Sequence, residues 1–330
     1  MEERQGVLTN LALSNNPVLA HTSITTALQM NIEPVRSDKI YQTLLTLPNA
    51  ARDAYFREHL LHPFKQKFWQ QQIPFEAKQP HGFDAMMLLG WVHRMPQELG
   101  DADRDAIVAI SDDTLWQQCE ETLARSLSLF TRAGITLEIT HYRFTILIGK
   151  TESRVLQLGN GYSGDGGIPG YIMLSLIPNP YTLSRLPAAI AHESSHNVRF
   201  QHIKWQPEKT NLADWIISEG LAESLTEHLF GAEYLGAWVT ATNTTQLQTL
   251  KPVFHEKLAL TGMQKMMPYL YGDKIAALQG QEPVGLPYAA GYACGYHLVQ
   301  HYLKKTGQNI VQATITPTAD ILAATTDFWH

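Results

Sequence analysis

The chain has 330 residues, of which 44% are apolar and 17% are charged, and its formal net charge is -6. This length is enough for one large domain or two ordinary ones with a sizeable core, so intrinsic disorder is not expected. The acidic balance argues against a nucleic-acid partner. No apolar run approaches the ~20 residues of a membrane-spanning helix, so no membrane partner is expected.

The cellular compartment is predicted from the N-terminus and the cysteines. Met1 to Gln5 lack the basic stretch and apolar run of an export signal. The 2 cysteines, Cys119 and Cys294, are too few for a disulfide framework or a cysteine-built zinc site. We therefore predict a cytoplasmic protein, with Cys294 as a buried packing thiol rather than a nucleophile.

Residues 38–133 have apolar positions spaced by three and four, for example Leu115, Cys119 and Leu123. This period predicts helices. Four aromatic residues share the helical spacing and are interpreted as core residues, namely Phe64, Phe68, Trp69 and Trp91. We expect residues 1–134 to form an N-terminal helical region.

From Ile135 the apolar period changes to two, which predicts strands over residues 135–139 and 144–148 and again over 171–177. Residues 171–177 are either a sheet edge that accepts an extended substrate or an interior strand. Residues 159–164 match GxGxxG, but Asp165 to Gly170 cannot open the helix of a dinucleotide site. We interpret this glycine-rich stretch as a flexible rim or lid loop.

A helix predicted to begin near Ser184, with Pro187 in its first turn, contains an HExxH motif from His192 to His196. The spacing of four places both imidazoles on one helical face, where they can bind a single zinc ion. Glu193 lies beside the open position of such an ion. It is therefore the predicted base that takes a proton from a zinc-activated water.

Two residues compete as third ligand. His202 has the metzincin spacing, but Arg199 stands where that motif requires a glycine. Glu219 lies on the apolar face of a helix predicted to start near Asn211, and Glu223 follows one turn later on the same face. Buried carboxylates need partners. A bound cation would be the partner of Glu219, and the second ring nitrogen of a ligand histidine would be the partner of Glu223. We favour Glu219.

Three stretches carry a family resemblance: residues 192–196 with Arg199, residues 218–223, and residues 291–296. Together they resemble the predicted zinc-dependent proteases similar to YjaZ, a bacterial group with a zincin-like C-terminal region. The resemblance implies that His192, His196 and Glu219 hold zinc and that Glu193 activates water. It also implies that Arg199 is a feature of the group, which weakens the case for His202.

Two further residues are assigned supporting roles. Tyr292 is the candidate for stabilising the oxyanion, although Tyr288, Tyr292 and Tyr296 share one helical face and are equally compatible with packing. Arg199 is expected on the ligand face, where it either binds a substrate carboxylate or pairs with Glu223.

The predicted protein is thus an α+β, mainly helical chain whose residues 135–330 form a zincin-like metallopeptidase domain with a small mixed sheet. We expect one Zn²⁺ per chain and a peptide or protein substrate. The alternative is a catalytically silent zinc-binding protein with a regulatory or stress-related role, because a fold and a motif do not establish turnover.

Overall fold

The computed structural model describes residues 30–204, 206 and 208–330, so the segment in which an export signal was sought lies outside the described residues. The helices are α1 (Ser37–Thr46), α2 (Asn49–Phe56), α3 (Lys65–Gln70), α4 (Ala85–Gly90), α5 (Arg104–Ala109), α6 (Asp113–Arg132), α7 (Arg154–Leu158), α8 (Pro180–His202), α9 (Leu212–Phe230), α10 (Ala237–Thr240), α11 (Thr244–Lys257), α12 (Met263–Tyr271), α13 (Asp273–Leu278), α14 (Ala290–Thr306), α15 (Ile310–Thr314) and α16 (Thr318–Ala324). Short π- and 3₁₀-helical turns cover Arg57–Leu61, His62–Phe64, Asp101–Asp103, Ala232–Tyr234 and Thr326–Trp329.

Four strands form one mixed sheet: β1 (Asn31–Pro34), β2 (His141–Ile148), β3 (Tyr162–Asp165) and β4 (Tyr171–Leu176). Their order is β1-β2-β4-β3. β1 and β4 run parallel to β2, whereas β3 runs antiparallel to β4. The predicted α+β class, mainly helical with a small mixed sheet, is therefore confirmed, and the antiparallel β3 lies at one edge.

The sheet separates two layers of helices. On one face, Phe144 of β2 stacks on Trp116 of α6 with ring centroids 5.7 Å apart, and α8 packs against β4 on the same side. On the other face, Phe64 packs against Tyr171 at 6.0 Å, and His93 bonds Ser175. Both faces are buried, which explains why β2 and β4 are nearly continuous apolar runs.

The sheet crosses the expected boundary at residue 134. β1, which precedes the helices of the N-terminal region, pairs with β2 in the C-terminal region. One continuous apolar core also includes residues from both sides, such as Phe56 and Leu221. The division into residues 1–134 and 135–330 stays a prediction, and it does not separate two cores.

Several local predictions are wrong. Residues 135–139 do not form a strand: Ile135 and Leu137 are buried, but the Ile139 amide bonds the side chain of Gln201 instead of a neighbouring strand. Trp69 and Trp91 are not core residues, since they are 70% and 61% exposed. Phe64 and Phe68 are buried as predicted.

The glycine-rich stretch is also different from the prediction. Its second half is the strand β3 rather than a lid loop, and β4 is an interior strand between β2 and β3. Cys294 is buried as predicted, and burial raises the pKa of its thiol. Among the described residues, none of the helices combines the length and hydropathy needed to cross a membrane.

The buried His93 makes stability depend on pH. Its Nδ1 donates to the Leu89 carbonyl at 3.0 Å, and its Nε2 accepts from Ser175 Oγ at 2.6 Å. Burial lowers the pKa of His93 from 6.5 to about 4. The unfolded chain therefore binds a proton at a higher pH than the folded chain does, and stability falls as pH falls from 6.5 towards 4.

We expect the free energy of unfolding in urea to drop by about 3 kcal/mol more in wild type than in His93→Gln between pH ~7.5 and pH ~4. Glutamine keeps polar atoms beside Leu89 and Ser175 but does not titrate. Parallel losses in the two proteins would show that His93 is not the titrating group.

Candidate metal centre

The helix α8 carries the HExxH motif and starts earlier than predicted. Asn179 caps it, because its Oδ1 accepts from the amides of Tyr181 and Thr182 at 3.0 Å each. Pro180 occupies the first helical position, where no amide donor is needed. The helix therefore begins at Pro180 rather than near Ser184, and Pro187 lies in its interior.

The helix α9 carries Glu219 and begins where the sequence predicted. Asn211 Oδ1 accepts from the Asp214 amide, and Asp214 Oδ2 accepts from the Asn211 amide, both at 3.0 Å. Further along, α9 crosses α14 at two glycines: a Cβ on Gly220 would lie 2.2 Å from the Gly295 carbonyl oxygen. Backbone contact at this crossing fixes the position of Gly220 against α14, and therefore the position of Glu219, the residue before it.

Three of the predicted residues converge between α8 and α9. His192 Nε2 lies 3.2 Å from His196 Nε2 and 3.2 Å from Glu219 Oε2. The third side of this triangle, from His196 Nε2 to Glu219 Oε2, measures 3.4 Å. All three side chains are buried, and they form the one candidate metal-binding group found among the described residues.

The triangle has the dimensions of a zinc site. Tetrahedral zinc with bonds of about 2.0–2.1 Å to nitrogen and oxygen requires ligand atoms roughly 3.3 Å apart, which matches the 3.2, 3.2 and 3.4 Å found here. Three ligands leave the fourth position for water or substrate. His202, the competing ligand, is the exposed last residue of α8 and is not part of the group.

Glu223 orients His192, as the sequence predicted. Its Oε1 lies 2.8 Å from His192 Nδ1, and this contact directs Nε2 towards the triangle. The same carboxylate accepts from the Trp238 indole at 2.5 Å and from the Gly236 amide at 3.1 Å. Trp238 also packs edge-on against the His192 ring at 6.1 Å, a contact that the sequence did not reveal.

The electrostatics of the triangle favour a cation. Burial alone would lower the pKa of His192, but its hydrogen bonds to Glu219 and Glu223 raise it well above its ordinary value. Burial alone would raise the pKa of Glu219, but the two histidines lower it to about 2. Buried carboxylates thus attract positive charge here, and a proton competes with a metal ion for it.

Glu223→Gln is expected to weaken zinc affinity by roughly 10- to 100-fold, because the amide is a poorer and uncharged acceptor for the His192 ring proton. Competition titration with a chromophoric zinc chelator measures this. Glu227→Gln, one turn further along α9 and bonded to Tyr296 and Gln300, is the matched control and should bind zinc like wild type. Equal weakening in both variants would contradict the assigned role.

The carboxylate of Glu193 is held against β3. Its Oε2 accepts from the Gly166 amide at 2.6 Å, and a Cβ on Gly164 would lie 2.2 Å from Oε1. A side chain at position 164 would therefore displace the Glu193 carboxylate from this place. Burial raises the pKa of Glu193, which suits a group that takes up and returns a proton.

An ion pair from the N-terminal half reaches the same strand. Lys67 on α3 is buried, and its Nζ lies 2.5 Å from Asp165 Oδ2 and 3.0 Å from Gln71 Oε1. Asp165 is the last residue of β3 and directly precedes Gly166. The N-terminal helices are thus tied to the strand that holds Glu193.

Tyr292 packs against Trp238, the residue that contacts the His192 ring, with ring centroids 6.5 Å apart. Burial raises the pKa of Tyr292 well above its ordinary value, and the charge of Glu219 raises it further. Tyr271 at the end of α12 packs on Tyr292 with ring centroids 5.7 Å apart, and burial followed by Glu219 raises its pKa to about 12. Tyr296 is elsewhere, since its hydroxyl donates to Glu227.

The predicted roles of Arg199 are wrong. Its guanidinium is 1% exposed and donates to Ser218 Oγ, to Thr318 Oγ1 and to the carbonyls of Thr314 and Thr316, not to Glu223. Burial lowers its pKa to about 10. Arg199 therefore joins α8 to α9 and to the C-terminal helices.

Comparison with known proteins agrees with this site. The family model described as "Predicted Zn-dependent protease (DUF2268)" matches residues 115–323. The chain is 34% identical over 288 residues to the uncharacterized protein YjfC of Bacillus subtilis (strain 168), covering 86% of this chain and 95% of that protein. It is 27% identical over 156 residues to the uncharacterized protein YjaZ of the same organism, covering 46% of this chain and 55% of that protein. No solved structure matches the chain.

The matched range contains the HExxH motif and Glu219, and the family resemblance seen in the sequence is confirmed. The chain belongs to the family of predicted zinc-dependent proteases (DUF2268).

Proposed function

We propose that the protein is a zinc-dependent peptidase that holds one Zn²⁺ on His192, His196 and Glu219 and uses Glu193 as its catalytic base. The observation that supports this most is the triangle of ligand atoms with sides of 3.2, 3.2 and 3.4 Å. The buried carboxylate of Glu193 belongs to the same helical turn as His192 and His196. A purely structural zinc site has four protein ligands.

Zinc in this position would supply an activated water and a Lewis acid for a peptide carbonyl. Glu193 takes the proton of the attacking water and returns it to the leaving amine. Its hydrogen bond to the Gly166 amide keeps the carboxylate at the site, and its raised pKa makes the carboxylate a stronger base for the water proton. Glu223 holds the His192 ring in position throughout.

The substrate is a peptide or protein segment in extended conformation. β3 is the sheet edge nearest Glu193, and an extended peptide adding to its free side would pass over the site. Tyr292, whose ring packs on that of Tyr271, is the candidate donor to the oxyanion. The zincin-like assignment and a cytoplasmic location without nucleic-acid or membrane partners are parts of the same proposal.

Zinc analysis of the purified protein tests the ligand set. We expect about one zinc per chain in wild type, none retained in His192→Ala, and the wild-type content in His202→Ala. Loss of zinc from His202→Ala with retention in Glu219→Ala would favour the metzincin ligand instead.

Hydrolysis of a peptide library tests the activity. Cleavage should stop with a chelator and return when zinc is added. A protein that holds stoichiometric zinc but cleaves no peptide would be the silent zinc-binding alternative.

A further inference from the structure

A surface groove runs along α3 on the face of the sheet opposite to α8. It has a volume of about 460 Å³, and its lining includes His62, Lys65, Trp69, Arg143 and Tyr171. We call it the α3 groove. Pro63 and Gln66 complete its lining, so none of the described residues that line it is a carboxylate. Glu58 and Glu76 line the adjoining pocket, which shares His62 and Lys65 with the groove.

The charge of the α3 groove is opposite to that of the protein. Lys65 and Arg143 contribute two positive charges, and His62 contributes an imidazole, in a chain of formal net charge -6. Arg143 has one acidic contact, Glu33 on β1, whose carboxylate is half exposed and lies 2.7 Å from the guanidinium. This guanidinium has five N–H donors, and its contacts to Glu33 and Pro63 engage two of them.

Trp69 provides an apolar surface in the groove. Its side chain is 70% exposed, the largest exposed fraction among the bulky apolar side chains of the described residues. Lys65 lies one helical turn earlier on α3, and its ammonium lies 5.4 Å from the centre of the Phe75 ring. A cation and an open indole one turn apart on a helix suit a ligand that combines carboxylates with apolar or aromatic groups.

The α3 groove is linked to the candidate active site through α3 itself. The exposed face of α3 carries Lys65 and Trp69, while its buried face carries Lys67, which pairs with Asp165 at the end of β3. Gly166, the next residue, donates its amide to Glu193. Tyr171, which lines the groove, is linked to α8 as well. Its backbone carbonyl accepts from the side-chain amide of Asn197, the residue that follows the HExxH motif.

We propose that the α3 groove binds an acidic segment of the peptide or protein substrate, outside the residues that flank the cleaved bond. Lys65 and Arg143 bind its carboxylates, and Trp69 packs against an apolar side chain between them. The identity of the occupant as substrate rests on the proposed peptidase function, whereas the preference for an acidic, partly apolar peptide rests on the groove alone.

The test measures binding without turnover, in the full-length, zinc-loaded Glu193→Gln variant. Fluorescence anisotropy compares a short labelled peptide of alternating glutamate and phenylalanine with the same peptide carrying glutamine for glutamate. We expect the acidic peptide to bind roughly tenfold more tightly at low salt and to lose this preference at high salt. Lys65→Glu should remove the preference, and Trp69→Ala should weaken both peptides by roughly fivefold.

Two substitutions outside the groove are matched controls. Lys304→Glu makes the same charge change on an exposed position of α14, and Trp91→Ala removes the other strongly exposed indole among the described residues. Both should bind the peptides like the parent variant. Equal affinity for the two peptides, no effect of Lys65→Glu, or tighter binding of a single-stranded oligonucleotide of equal charge would overturn the proposal.

Failure of the groove and failure of the peptidase are distinguishable. If wild type cleaves peptides but Lys65→Glu leaves every affinity unchanged, the groove proposal fails and the enzyme stands. If the acidic peptide binds as expected but wild type cleaves nothing, the groove stands and the peptidase fails.

Discussion

Replacing Glu193 by glutamine is expected to lower kcat for peptide hydrolysis by roughly 10²- to 10⁴-fold while the zinc content stays at the wild-type level. The reason is that an amide has almost the shape of a carboxylate but does not accept a proton. Its oxygen can still accept from the Gly166 amide, and its size still fits beneath the glycine at position 164. The substitution therefore removes the base and leaves the ligands in place.

The measurement pairs initial rates on a cleaved library peptide with zinc analysis of the same samples. Glu256→Gln is the control, since it removes one negative charge at an exposed position that also follows a histidine, His255. Activity in Glu193→Gln within about twofold of wild type would exclude a role as base. Loss of zinc would instead show that Glu193 is needed for the integrity of the site.

The convergence of His192, His196 and Glu219 could be predicted because each step is local. Two imidazoles four residues apart must share a helical face, and Glu219 lies on the apolar face of its own helix. The sequence was interpreted as an amphipathic helix with a buried carboxylate that needs a partner. In the structure residues 216–226 are buried on every side of the helix, so Glu219 is buried whichever face it lies on. The cap at Asn211 fixed the start of that helix in the same local way.

The surroundings of the triangle could not be predicted because they come from distant parts of the chain. Trp238 and Tyr271 reach the site from short helices whose sequences resemble ordinary packing segments. The Lys67 contact to Asp165 joins residues 98 positions apart. The sequence shows the glycine in β3, but it does not show that the Glu193 side chain packs directly against this glycine.

Arg199 shows why a helical face alone does not identify a contact. The spacing placed it near the ligand face, yet a long side chain can extend past its own turn. Here it reaches carbonyls at the end of α15, where the C-terminal partial charge of a helix favours a cation. The sequence did not reveal that this helix end lies beside α8.

The crossing of α9 and α14 leads to the prediction with the largest effect on stability. A Cβ on Gly295 would lie 1.8 Å from the Ile216 carbonyl oxygen, and this oxygen belongs to the backbone, so no rotamer change can move it. Alanine is favoured over glycine within a helix by about 1 kcal/mol. Relieving the overlap requires the two helices to separate, which costs about 3 kcal/mol or more in a packed core.

We therefore expect Gly295→Ala to lower the free energy of unfolding by at least about 2 kcal/mol net, measured by urea denaturation of the zinc-free protein. Gly90→Ala on α4 is the matched control. Its Cβ would lie 3.3 Å from the flexible Met95 side chain, which can move aside. The helix propensity of alanine offsets the small cost of this movement, so the free energy of unfolding should stay close to that of wild type. Separation of α9 from α14 also shifts Glu219 relative to α8. Weaker zinc binding should accompany the loss of stability, and a fully stable Gly295→Ala with wild-type zinc affinity would show that the two helices are not in backbone contact.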